Sequence, residues 1–186
     1  QRGAAAGSDP GRRGMNAVLR VLPDLVWLAP ALPLLACAAV GLRVLAGRAR
    51  GDGAEPLTAR LCALAALASL LLLLAIDVIA LRDGPPGHRV LGTWFAGGNW
   101  RATVSFLLDP LSLPVSTVAA LIGWLTLRFS ANYLHREAGF HRFHMVLSLF
   151  LAGIQIVFLA GNGLLAFVGW EMCGVASFLL IGYAWQ

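Results

Sequence analysis

The chain has 186 residues, 59% of them hydrophobic and only 12% charged, a balance that excludes an ordinary soluble domain. Its 14 basic residues are all arginine, giving a net charge of +5. They lie between apolar runs and form no single patch, which argues against nucleic acid as a partner and for loops flanking membrane spans.

In chain order, residues 1–21 are small, polar and arginine-bearing, and read as a disordered N-terminal segment, with Met15 as a candidate start. A first membrane span is expected over 22–46. It carries Pro23, Pro30 and Pro33, which a membrane helix tolerates when neighbours satisfy the freed carbonyls. A polar loop with Arg43, Arg48, Arg50, Asp52, Glu55 and Arg60 follows, then a Leu/Ala-rich span over 61–81. Asp77 falls near its far end and reads as interfacial and hydrated. Asp83, Gly84, Pro85, Pro86 and Gly87 break the helix. From Trp100 to Phe106 apolar and polar residues alternate, and a Gly-Gly-Asn turn separates this run from residues 90–95. The pattern predicts a hairpin over 88–107, outside the membrane.

Asp109 as a cap with Pro110 behind it predicts a third span over 109–133. A second polar loop holds Arg128, His135, Arg136, Glu137, His141 and Arg142, and a fourth span covers 144–160. Asn162 and Gly163 leave room only for a tight turn, so a fifth span, 162–184, returns beside the fourth. The expected fold is an all-α membrane protein of about five transmembrane helices, with a small external β-hairpin between helices 2 and 3. With translation from Met15, the arginine count puts the two arginine-rich loops inside and the hairpin outside.

Glu171 is the one charge in its span. At 1.5 Å per residue it lies about 14 Å from the helix start, near the centre of a bilayer roughly 30 Å thick. A charge at that depth costs a few kcal/mol at least, so the residue is expected to face protein and to hold a partner or a proton. Leu164, Phe167, Gly174 and Phe178 share its face, while the small residues Gly169, Cys173 and Ala176 mark a neighbouring face for close helix packing. His141, His144, Ser148 and Gln155 fall within about 60° of one another on the fourth span. His144, Ser148 and Gln155 could line a polar path, or simply bond across helices and to headgroups. Trp94, Trp100 and Trp185 fit an interfacial belt, whereas Trp170 at mid-span does not. Cys37, Cys62 and Cys173 stand in three separate segments without a CxxC pair, which argues against haem, iron–sulfur or disulfide roles. No metal site and no nucleotide-binding loop is visible.

The motifs carry a resemblance. SFLLDPLS at 105–112, FSANYLHREAGFHRF at 129–143, LSLFLAGIQIVFLAGNGLL at 147–165 and GWEMCGVASFLLIGYAW at 169–185 stand in order. Together they resemble the N-terminal part of the antiporter-like membrane subunits of proton-pumping NADH:quinone oxidoreductase (complex I), those of the subunit L type. The same family holds large subunits of Mrp-type sodium/proton antiporters, membrane subunits of group 4 hydrogenases and partners of inorganic-carbon transporters. The resemblance implies proton transfer at Glu171, the acid of the GWE motif, coupled to a lysine two helices later. No lysine occurs here, so the resemblance implies that this is an N-terminal fragment of a longer chain. It also implies no cofactor in this chain, with FMN, iron–sulfur clusters and quinone in partner subunits. Other membrane subunits, lipid and protons would be its partners, in a bacterial inner membrane. A purely structural membrane anchor is the rival reading.

Overall fold

A computed structural model of the protein describes residues 21–98 and 100–182. The expected disordered segment thus falls almost wholly outside the described residues, as does Trp185. After a 3₁₀ turn at Leu22–Leu25 come α1 (Leu28–Leu45), a second 3₁₀ turn at Asp52–Ala54, α2 (Glu55–Asp83), β1 (Gly87–Gly97) and β2 (Trp100–Leu108). Then follow α3 (Ser112–Tyr133), α4 (Phe140–Leu159) and α5 (Gly163–Ile181). Among the described residues, five helices are long and apolar enough to cross a membrane. The protein is an integral membrane protein built as an all-α bundle with one antiparallel hairpin between its second and third helices.

Helix α4 is the hub, packing against α1, α2, α3 and α5. One core cluster joins Val26, Leu73, Ile76, Leu108, Leu113 and Leu159 near the hairpin end. A second joins Val40, Cys62, Ala66, Leu127 and Leu151 nearer the arginine-rich loops. Helix α5 lies at the margin, packed chiefly on α4. The α4–α5 seam is close because both helices present glycine. A Cβ on Gly169 would stand 2.8 Å from the Gly153 carbonyl oxygen, and one on Gly153 would stand 3.0 Å from Cys173 Sγ. Small residues let membrane helices approach in this way.

Two helices start earlier than the sequence expectation. Helix α2 begins at Glu55, six residues before 61, and α4 begins at Phe140, four residues before 144. In both cases polar side chains read as loop are helical because tertiary partners satisfy them. Glu55 is bonded by the α3–α4 loop, and His141 Nδ1 meets Thr58 Oγ1 at 2.9 Å. At the other end Gly84, with φ 90, stops α2 ahead of Pro85 and Pro86. The hairpin strands pair from Gly87–Leu108 to Gly97–Trp100, with irregularities at 90–92 and 93–95.

Helix α3 begins at Ser112, three residues after Asp109, yet Asp109 Oδ1 accepts from Leu111 N at 3.0 Å and from Ser112 N at 2.6 Å. The Ser112 hydroxyl donates to the same oxygen at 2.8 Å. The bond from the Ser112 amide, then that from its hydroxyl, hold the Asp109 carboxyl below its usual value of 3.8.

Candidate functional site: an outward-facing glutamate and a buried polar seam

Helix α5 turns its small face, Gly169 and Ala176, toward α4, where both are buried. Glu171 is two residues from Gly169, about 200° around the helix, and so lies on the far side. Its side chain is exposed, along with Phe167, Trp170, Gly174 and Phe178. A shallow groove formed by Leu149, Phe167, Val168, Met172 and Val175 surrounds it. Among the described residues no hydrogen bond or ion pair reaches the carboxylate. The expected inward orientation is therefore not met within these five helices, because the packing face of α5 is the glycine face.

Three polar residues of α4 turn inward. His144, Ser148 and Gln155 are fully buried. His144 Nδ1 lies 3.0 Å from the Phe140 carbonyl oxygen, which only accepts, so Nδ1 carries hydrogen. Its Nε2 is 3.4 Å from Ser130 Oγ, and its ring stacks on Phe140 with centroids 4.3 Å apart. Ser148 donates back to the His144 carbonyl at 2.9 Å. Ser148 and Gln155 stand about 10 Å apart along the helix, with buried Leu151 and Ala152 between them.

Gln155 belongs to a three-helix node. Pro33 has no amide hydrogen, so the carbonyl of Ala29, one turn earlier in α1, has no intrahelical donor. Ser69 of α2 donates to that oxygen at 2.8 Å, and Gln155 Nε2 donates to Ser69 Oγ at 2.9 Å. The chain from Gln155 through Ser69 to Ala29 ties α4, α2 and α1 together. Asp77, expected to be hydrated, is half-buried and accepts from Thr117 Oγ1 of α3 at 2.6 Å.

At the hairpin end, Asn162 serves two masters. Its Oδ1 caps α5 by accepting from Leu165 N at 2.9 Å. Its Nδ2 donates to the Thr103 carbonyl at 2.7 Å and to Ser105 Oγ at 2.9 Å, both in β2. Gly161 N donates to the Ser105 carbonyl at 2.7 Å, and a Cβ there would stand 2.7 Å from His88 Nε2. At the opposite end Glu55 is buried, with Oε2 2.7 Å from His135 Nδ1 and Oε1 3.1 Å from Arg136 N. Arg136 holds φ 67 there, and its Nε pairs with Asp52 at 3.2 Å. No group of three His, Cys, Asp or Glu side chains among the described residues converges to hold a metal ion.

Residues 94–144, which run from the hairpin through α3 into α4, match a family model described as NADH-Ubiquinone oxidoreductase (complex I), chain 5 N-terminus. NADH-quinone oxidoreductase subunit L of Mycobacterium tuberculosis is 35% identical over 159 residues, 84% of this chain. The chain belongs to the antiporter-like membrane subunit family of complex I. Subunit L of Escherichia coli is 37% identical over 93 residues, half of this chain and 15% of that protein. The chloroplastic NAD(P)H-quinone oxidoreductase subunit 5 of Angiopteris evecta is 29% identical over 168 residues, 89% of this chain. The chain spans 24% of the Mycobacterium protein and 21% of the Angiopteris protein.

Sequence reasoning missed Thr58, Ser69, Ser130 and the double role of Asn162. Only the node had a local signal. A proline inside an apolar helix frees a carbonyl four residues back, and some hydroxyl or amide must meet it.

Proposed function

We propose that this chain forms the N-terminal part of a proton-translocating membrane subunit of a complex I-type NADH:quinone oxidoreductase, with no redox chemistry of its own. The observation that carries this reading is Glu171, the one charge of α5, on an apolar outer face with no partner among the described residues. A carboxylate in that setting needs a counter-charge, water or a proton. An approaching cation favours its ionised form, and withdrawal of that cation favours proton binding. The resemblance implies a lysine on a later helix as that cation. Packing such helices against the outer face of α5 would bring Glu171 indoors.

In this reading Glu171 is the proton-transfer residue, driven by quinone reduction in partner subunits that hold FMN, iron–sulfur clusters and the quinone. His144, Ser148 and Gln155 supply a polar path only when water bridges the apolar stretch between Ser148 and Gln155. The host membrane would be a bacterial inner membrane.

The test is Glu171→Gln in the intact oxidoreductase. The side chain is exposed within this bundle, so packing should survive. The expected result is normal assembly with most proton translocation lost and coupled quinone reduction reduced. Translocation near the wild-type level, with assembly shown on a native gel, would overturn the assignment and favour a structural anchor.

A further inference from the structure

At the arginine-loop end, the start of α2 and the end of α3 leave a notch of about 340 Å³. Its walls include Glu55, Arg60, Asn132 and His135. The only acid in the wall is already engaged, since both Glu55 oxygens accept from the α3–α4 loop. The donors are not. Among the described residues, the side chains of Arg60 and Asn132 have no hydrogen-bond or ion-pair partner, and His135 uses only Nδ1. Arg128 lies one turn before Asn132 on the same face of α3, exposed and equally unpaired. Free donors beside an acid that is already engaged make the notch a receptor for an anion.

The surface below the notch says which anion. Continuing along α2 from Arg60 at helical spacing come Leu64 and Leu71, 62% and 56% exposed. Continuing along α3 from Arg128 and Asn132 come Leu125 and Leu121, 51% and 41% exposed. The two stripes share one polarity along the bundle: cationic at the loop end and apolar through the membrane. A soluble phosphate would use only the upper part. A phospholipid would use both, with its phosphate among the arginines and its acyl chains on the leucines.

We propose that this notch binds the headgroup of an anionic phospholipid, held by Arg60, Arg128, Asn132 and His135, with its tails on the leucine stripes of α2 and α3.

The experiment uses the intact protein with its membrane partners, purified in mild detergent and stripped of lipid. Phosphatidylglycerol, phosphatidylcholine or soluble glycerol 3-phosphate is added back, and bound lipid is read by native mass spectrometry. Phosphatidylglycerol should bind more tightly than phosphatidylcholine, and glycerol 3-phosphate should not compete at equal concentration. Arg60→Gln and Arg128→Gln should each weaken binding about fivefold, the weight of one basic residue near an anionic lipid surface. Arg50→Gln, at the same end of the bundle but neither in the wall of the notch nor on the α2 and α3 stripes that run from it, should leave binding unchanged. Equal loss in Arg50→Gln would reduce the effect to general surface charge and overturn the site. Equal binding of phosphatidylcholine would also overturn it. Full competition by glycerol 3-phosphate would replace the lipid with a soluble anion.

Discussion

Gly169→Ala tests the α4–α5 seam directly. An added Cβ would lie 2.8 Å from the Gly153 oxygen, 2.8 Å from Val157 N and 2.9 Å from Ile156 Cγ2. Two of these three neighbours are backbone atoms and cannot rotate away. Restoring ordinary contact therefore needs α4 and α5 to part by roughly half an ångström, and overpacking of this kind costs about 1–3 kcal/mol. Gly174→Ala is the matched reference, because nothing lies within 4 Å of its added Cβ. Both substitutions gain the same helix propensity, about 1 kcal/mol, so their difference isolates the clash. Denaturant unfolding of the purified protein should place Gly169→Ala about 1–3 kcal/mol below Gly174→Ala. Equal stabilities would refute the close seam, and with it the reason Glu171 faces outward.

Ser69→Ala should cost about 1–2 kcal/mol in the same assay, because it strands both the Ala29 carbonyl and the Gln155 amide. Adding Pro33→Ala should relieve part of that loss by giving Ala29 an intrahelical donor, and a strictly additive double variant would contradict the node. Asp109→Ala should lower stability by about 1 kcal/mol through loss of the α3 cap, with Asp109→Asn milder because an acceptor remains. The folded Asp109 carboxyl is depressed below 3.8. Its ionic contribution is therefore complete above that pH and is lost as pH falls through the folded value, so the gap between wild type and Asp109→Asn should close only in acid. A gap that closed near neutrality would assign the effect to another group.

The helix count was legible because apolar runs long enough to span a bilayer have few other fates. The hairpin was legible because period-two alternation from Trp100 to Phe106 met a Gly-Gly-Asn turn. Helix starts were not, since Glu55 and His141 look like loop residues until His135, Arg136 and Thr58 are beside them. The polar stripe of α4 could be read as a stripe, but not its side-chain partners, Thr58 and Ser69 on α2 and Ser130 on α3. Glu171 shows a different limit. A lone acid in an apolar helix announces that it needs company, whereas the side it faces depends on which face of the helix is narrow enough to pack. In α5 that is the face of Gly169 and Ala176, and the acid is left to the opposite one.

The Asn162 junction makes the hairpin a handle on α5. One amide side chain holds the first turn of that helix with its oxygen and grips β2 with its nitrogen, while the neighbouring Gly161 is pinned to Ser105. Sliding β2 by a single residue would strip Asn162 Nδ2 of both acceptors and leave Gly161 N without its carbonyl. A tilt of α5 must therefore drag the hairpin along or break that grip. The helix that carries Glu171 is tethered at the aqueous surface, and any motion of the glutamate within the membrane is geared to the position of two strands outside it.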